Sequence, residues 1–225
     1  MVKMKKTTLA LMLGSALVAG SAMAHEAGST HFRVGGVFVN ANSHSKTTTS
    51  TEVKLDVRDN QQLGLTATYM FTDNIGVELL GATPFSHSID ATVPAVNAVL
   101  NKAVKVKHLP PSLYMQYYFL DKDAAARPYL GAGVNYTRFF NAKAQYDAIS
   151  NLDVKKHSFG PVVNGGIDIK VADNVYLNAA MWYTHIRTKA KFTTTGIPAE
   201  GVVLDHEVKI KLDPVIYFAG LTYKF

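Results

Sequence analysis

Cysteine is absent from all 225 residues, which excludes a fold held together by disulfides or by a cysteine-ligated metal. Long apolar runs are also missing, because beyond the first 24 residues no segment stays apolar for 18 residues. A membrane-spanning helix is therefore excluded on length. Neither HExxH nor GxSxG occurs, so the common metalloprotease and hydrolase motifs are lacking as well.

The first 24 residues have the pattern of an export signal. Three lysines precede an apolar stretch at residues 9–20, and residues 22–24 read Ala-Met-Ala, a small-x-small cleavage site. The apolar stretch is shorter than the roughly 17–25 residues that a transmembrane helix needs; a short N-terminal membrane anchor is the alternative. We predict a removed signal peptide at residues 1–24 and a single mature domain at residues 25–225. That domain has 23 − 3 = 20 basic and 17 acidic residues.

Apolar and polar residues alternate with a period of two in eight segments of the mature chain. Such alternation is typical of strands with two unlike faces. The segments are residues 32–40, 62–69, 75–80, 112–119, 130–136, 163–169, 175–184 and 215–225. The sequence therefore predicts an all-β fold with eight antiparallel strands.

Connections between these segments alternate between short and long. The short ones are residues 73–74, 121–127 and 172–174, and the long ones are about residues 41–60, 85–107, 141–156 and 187–206. Short periplasmic turns and long extracellular loops are typical of outer-membrane barrels. Within the second long segment, the apolar spacing at residues 94–104 is compatible with a short helix.

Three features favour a transmembrane β-barrel over a soluble sandwich or a lipocalin-like barrel, whose apolar faces would point inward. Aromatic residues lie near strand ends on the predicted outer face, as in interfacial girdles. The chain ends in the alternating pair Tyr223 and Phe225, which resembles the assembly signal of outer-membrane barrels. A polar inner face suits a small lumen; its predicted residues are Glu78, Gln116, Asn135, Asn164 and Asp168.

The predicted lumen also has bulky and apolar residues. An eight-stranded barrel is only wide enough inside for side chains or one small ligand. The inward bulky residues are Leu80, Trp182, Met70, Tyr114, Tyr118 and Tyr176. Two interpretations stay open, a filled barrel core or a pocket with apolar walls for a hydrophobic molecule.

Several segments match one known family. They are HEAG at 25–28, QLGLT at 62–66, TDNIGVELL at 72–80, ATPF at 82–85, HLPP at 108–111, RPYLGAGVNY at 127–136, WY at 182–183 and LDP at 212–214. On these segments the chain resembles the OmpW family of small outer-membrane proteins, which includes the alkane-uptake protein AlkL. The resemblance covers almost the whole mature chain.

This resemblance implies a narrow, largely hydrophobic interior that gives small hydrophobic molecules passive passage, with lateral release into the membrane. It also implies that Leu80 and Trp182 constrict the passage. The alternative is a structural or interaction barrel whose loops bind lipopolysaccharide, a host surface or phage without transport.

The remaining expectations concern partners and chemistry. We expect no enzyme activity, no catalytic residues, no cofactor and no metal site, since the eight histidines show no ligand spacing. Lysines and arginines in the long segments either contact lipopolysaccharide phosphates or form solvated loop charge. Expected partners are outer-membrane lipids and lipopolysaccharide, a small hydrophobic solute and the barrel-assembly machinery, not nucleic acid. The expected location is the bacterial outer membrane, as a monomer.

Overall fold

The computed structural model describes residues 26–225, so the predicted signal peptide lies outside the described residues. This part of the chain contains no helix long and apolar enough to cross a bilayer. Its strands are β1 (Thr30–Asn40), β2 (His44–Thr47), β3 (Lys54–Val57), β4 (Asn60–Met70), β5 (Ile75–Ala82), β6 (Phe85–Val93), β7 (Ala98–Leu109), β8 (Ser112–Tyr118), β9 (Ala126–Ala144), β10 (Ile149–Val154), β11 (His157–Ala172), β12 (Val175–Thr184), β13 (Arg187–Thr195), β14 (Val203–Lys211) and β15 (Val215–Lys224).

Eight of these strands form a closed antiparallel barrel. Their order is β11, β12, β15, β1, β4, β5, β8 and β9, and β9 pairs again with β11 to complete the ring. Each barrel strand contains one of the eight alternating segments of the sequence, so the predicted eight-stranded fold is confirmed. Closure matters because it leaves no barrel strand with an unpaired edge.

The burial pattern of the barrel is the reverse of that of a soluble β-protein. Leu65 is 49% and Met115 is 58% exposed on the outer face, whereas Arg33 and Glu78 are fully buried inside. A wall that is apolar outside and polar inside is stable only where the outer face contacts lipid. The soluble sandwich and the lipocalin-like barrel are therefore wrong.

The four long connections are mostly strands instead of loops. Strands β3, β6 and β7 continue the main sheet along the C-terminal part of β9, at the barrel end away from the short turns. Strands β10, β13, β14 and β2 form a separate four-stranded sheet. We call these seven strands the extension. Its core is a buried apolar cluster that includes Leu55, Val104, Phe139, Phe192 and Leu212.

The short helix compatible with residues 94–104 is not formed. Only Pro94–Val96 makes a single 3-10 turn, and β7 begins at Ala98. Asn97 adopts a left-handed conformation (φ 50°), which reverses the chain so that Ala98 pairs with Val93. Pairing along the whole length of β6, together with the strand preference of β-branched valines, outweighs the helical spacing.

Glycines at inward positions let neighbouring strands carry large side chains. A Cβ atom at Gly133 in β9 would lie 2.2 Å from the carbonyl oxygen of Leu113 and 2.4 Å from the Cα atom of Tyr114. These are backbone atoms of β8, which cannot move without breaking the ladder. A Cβ atom at the outward Gly36 would meet nothing within 4 Å.

We therefore expect Gly133→Ala to lower the free energy of unfolding by about 2 kcal/mol, because the added methyl group overpacks the β8–β9 ladder. Gly36→Ala is the matched control and should unfold like the unsubstituted protein. Urea titration of the barrel in lipid vesicles measures both. Equal stability of the two variants would contradict the close-approach explanation.

Candidate functional site: a closed barrel interior below an apolar cavity

A buried charged cluster fills the barrel toward the short turns. The Arg33 guanidinium donates to the Tyr118 hydroxyl at 2.7 Å and to Asp168 Oδ2 at 2.8 Å. It also donates to Thr68 Oγ1 at 2.9 Å and forms an ion pair with Glu78. We call Arg33, Thr68, Glu78, Tyr118 and Asp168 the charged plug.

Neighbouring side chains make further contacts to the plug, although the Arg33 Nε atom is buried without a hydrogen-bond partner among the described residues. Asn178 donates to Asp168 Oδ1 at 2.8 Å, and Thr222 donates to the same oxygen at 3.2 Å. The Tyr129 ring lies 5.3 Å from the guanidinium carbon of Arg33, in a cation–π contact. Buried charges persist only when they are paired and hydrogen-bonded in this way, so the plug closes the barrel at its base.

Trp182 closes the middle of the barrel. Its indole N–H donates to the Tyr114 hydroxyl at 2.8 Å, and Tyr114 in turn donates to Glu78. The indole packs edge-on against Phe218, with ring centroids 5.9 Å apart. Trp182 and Leu80 are both buried, so the interior at this level is filled by side chains.

The other predicted pocket residues lie at two different levels. Met70 and Tyr176 are buried near the short-turn end, and Tyr118 belongs to the charged plug. Met70, Tyr114 and Tyr118 nevertheless pack in one buried cluster with Leu80 and Trp182, whereas Tyr176 is buried outside that cluster. Alternation in the sequence assigns all of these side chains to the inner face of the barrel, where they are buried. It contains no information on their height along the barrel axis.

The predicted polar lumen residues also lie at different heights along the barrel axis. Glu78 and Asp168 belong to the plug, and Gln116 accepts a hydrogen bond from the Tyr118 hydroxyl at 3.0 Å. Asn135 lies higher, where its amide donates to Ser112 Oγ at 2.9 Å. The remaining one, Asn164, is buried on the strand position opposite Trp182.

Asn135 also contacts a weak point in the barrel wall. The β5–β8 ladder stops at the pair Leu80 and Ser112, and the β6–β7 ladder starts at Phe85 and His108. Residues 81–84 and 109–111 lie between these ladders, and we call this part of the wall the seam. Pro110 and Pro111 have no N–H to donate across it, and their carbonyl oxygens accept instead from the Asn135 amide.

An apolar cavity of about 30 Å³ lies in the extension, beyond the filled barrel. Its walls are mainly aliphatic and aromatic. No pattern in the sequence indicated this cavity, because its lining residues come from strands far apart in the chain. The lining residues are Leu55, Val57, His87, Ile89, Val104, Val106, His108, Phe139, Leu152, Val154, Thr188, Ala190, Phe192, Ile210 and Leu212.

Two histidines of this lining are stacked among aromatic rings. The His108 ring contacts His87, at a centroid distance of 4.9 Å, and Phe85, at 5.3 Å, and these two rings also contact each other at 6.2 Å. Burial lowers the pKa of His108 to about 3 and also lowers the pKa of His87, so both rings are neutral near pH 7. His87 Nδ1 lies 2.7 Å from the carbonyl oxygen of Arg58. The cavity therefore has no charged wall.

The two terminal aromatic residues lie on the outer wall near the short turns. Phe225 stacks edge-on against Phe32, with centroids 5.5 Å apart, and contacts Tyr223 at 4.6 Å.

Within residues 26–225 there is no group of three or more histidine, aspartate or glutamate side chains that could hold a metal ion.

Comparison with known proteins agrees with this architecture. The chain is 38% identical to outer membrane protein W of Escherichia coli over 99% of this chain and 100% of that protein. It is 25% identical to outer membrane protein AlkL of Ectopseudomonas oleovorans over 70% of this chain and 63% of that one. The crystal structure of OprG from Pseudomonas aeruginosa superposes with a TM-score of 0.79 at 35% identity, covering 91% of this chain and 99% of OprG.

The OmpW family model matches residues 26–225, which is the whole described barrel with its extension. Outer membrane protein W and AlkL are named as outer-membrane proteins and not as enzymes. The short turns thus face the periplasm and the extension faces outward. This chain belongs to the OmpW family of bacterial outer-membrane β-barrel proteins.

Proposed function

We propose that the protein gives small hydrophobic molecules passive passage across the polar outer layer of the outer membrane. The observation that carries this proposal is the apolar cavity in the extension, placed directly beyond a barrel that is closed at its base. A molecule that enters the cavity meets Trp182 and then the charged plug, so a straight route to the periplasm is blocked. The exit must therefore lie in the barrel wall.

In this proposal the seam is the exit through the barrel wall. It lies beside Leu80, between two ladders that do not join, and its prolines cannot make the hydrogen bonds that would close it. Its position between the cavity and the lipid-facing surface supports lateral release among lipid tails. In this proposal Leu80 and Trp182 form the floor that directs the molecule sideways.

The driving force is transfer of apolar surface out of water. Lipopolysaccharide presents a hydrated and charged layer that an apolar solute crosses slowly. A cavity with apolar walls stabilises such a solute by roughly 25 cal/mol for each Å² of apolar surface removed from water. In its closed form the cavity is far smaller than a ligand pocket of typically about 300 Å³ or more, so binding requires the extension strands to separate.

The passage of hydrophobic molecules that the OmpW-family resemblance implies supports this proposal, and the chain is 25% identical to outer membrane protein AlkL. A second candidate is a structural or interaction barrel whose extension binds lipopolysaccharide, a host surface or phage. The filled interior around Trp182 favours this alternative, because it leaves no continuous channel. We also propose that Tyr223 and Phe225 are recognised by the barrel-assembly machinery and that the closed barrel functions as a monomer.

Side chains that fill the cavity test the proposed passage of hydrophobic molecules, which we call the conduit. Ala190 lines the cavity and is buried, so Ala190→Leu and Ala190→Phe should reduce uptake of an apolar fluorescent probe by intact cells in that order. Ala132→Phe, on the lipid-facing side of β9, is the control and should leave uptake unchanged. If both cavity variants fold, as judged by heat-dependent electrophoretic mobility, and still take up the probe normally, the conduit proposal is wrong.

The floor residues have a separate test. Leu80→Ala and Trp182→Phe change the size of the side chains beside the seam, and we expect each to alter the rate of probe uptake by about threefold or more, since access to a small barrel interior depends on single side chains. Folding is checked in the same way. Unchanged uptake in both variants would remove their assignment as the constriction while leaving the cavity in place.

Acid should loosen the cavity wall. A histidine whose pKa is about 3 in the folded protein and 6.5 unfolded binds its proton only in the unfolded chain between these values, so stability falls as pH drops from 6.5 towards 3. We expect the amides of β6 and β7 to have lower protection factors at pH 4.5 than at pH 7, once exchange rates are corrected for the pH dependence of intrinsic amide exchange. His108→Phe should reduce this difference, leaving the smaller contribution of His87, and His44→Phe, at an exposed position of β2, should leave it unchanged.

A further inference from the structure

The outward face of the four-stranded sheet in the extension has a row of lysines that crosses β13, β14 and β2 and continues to the residue just after β10. Lys189 of β13 lies directly opposite Lys209 of β14, which lies opposite Lys46 of β2. Lys155, just after β10, donates its backbone N–H to the carbonyl oxygen of Lys189 at 2.8 Å. Like charges that face each other across strands destabilise a sheet, so this row is unfavourable without an anionic partner.

Basic side chains in the rows on either side of this row extend it into a positively charged surface. Arg187 lies opposite Lys211, and Lys191 lies opposite Glu207. We call the full set the basic patch. Its members are Lys46, Lys155, Arg187, Lys189, Lys191, Lys209 and Lys211.

Acidic residues compensate only part of this charge. Glu207 accepts from Lys189 at 2.8 Å and from Lys191 at 3.3 Å. These two contacts lower the pKa of Glu207 to about 2. The other lysines of the patch form no ion pair with any residue between 26 and 225. The patch therefore keeps an excess of positive charge on its exposed side.

The height of the patch above the membrane identifies its partner. Tyr183 and Tyr217 lie on the lipid-facing side of β12 and β15, at the end where aromatic girdles mark the lipid boundary. Arg187 follows Tyr183 by four residues, a distance of about 13 Å along an extended chain. With a strand tilt of about 40° the patch begins about 10 Å above the girdle, which is headgroup level.

We infer that the basic patch binds the phosphate groups of lipopolysaccharide molecules in the surrounding outer leaflet. Lysine ammonium groups bind phosphate as point charges through charge-assisted hydrogen bonds. Bound phosphates would separate the facing lysines of the row and remove their mutual repulsion. This inference rests on the outer-membrane location and does not depend on transport through the cavity.

Two triple variants with the same change in net charge test the inference. Lys46→Gln/Lys155→Gln/Lys209→Gln removes three patch lysines that make no ion pair with a described residue. Lys102→Gln/Lys105→Gln/Lys107→Gln removes three exposed lysines of β7, which lies in the other sheet of the extension. Native mass spectrometry of the folded full-length barrel in detergent then counts bound lipopolysaccharide at increasing lipid concentration.

We expect the patch variant to bind lipopolysaccharide about 100-fold more weakly and the β7 variant to bind within about threefold of the unsubstituted protein. Chemically dephosphorylated lipopolysaccharide should bind all three proteins equally weakly. Equal affinities of the two variants for the phosphorylated lipid would overturn the inference. So would a loss in the patch variant that appears only with a soluble sulfated polysaccharide, since the partner would then be a polymer outside the membrane.

Because uptake of an apolar probe is measured separately, the two proposals can fail independently. A patch variant that loses lipopolysaccharide but keeps normal probe uptake supports the inference and leaves the conduit intact. A cavity variant such as Ala190→Phe should keep its lipopolysaccharide while losing uptake.

Discussion

The pairing of β9 with β11 is the constraint on which the rest of the structure depends. Lipid offers no hydrogen bonds to an open strand edge, so the wall is stable only once this ladder closes the ring of eight strands. Closure fixes which side chains point inward and how little space they share. The charged plug, the filled level at Trp182 and the outward apolar band all follow from a ring of this size.

Most of the barrel can be predicted from the sequence because alternation reports directly on the two faces of each strand. The same alternation identified Glu78 and Trp182 as inward residues without any knowledge of their partners. It did not identify Arg33, the centre of the plug, because the first segment alternates less regularly and two inward-facing positions near Arg33 in the ring are glycines, Gly35 and Gly64. A buried arginine is also unexpected until its two carboxylate partners are known.

The extension was harder to predict for a different physical reason. Two of its strands, β2 and β3, have only four residues each. The β6–β7 hairpin turns at Asn97, which has a left-handed conformation, and the apolar spacing of residues 94–104 fits either a helix or a strand. Pairing between segments distant in the chain, such as β2 with β14, decides the outcome. The apolar cavity results from that pairing and has no signature within a single segment. The basic residues of the long segments are visible in the sequence, but only the pairing aligns them into one patch.

The charged plug has a consequence for the cell that contains the protein. An outer membrane protects its cell by excluding ions and polar toxins, and each water-filled pore weakens that exclusion. A barrel closed by Arg33 and its two carboxylates adds no such pore, since an ion would have to displace several buried hydrogen bonds to cross it. A bacterium can therefore carry many copies of this protein without making its envelope leaky.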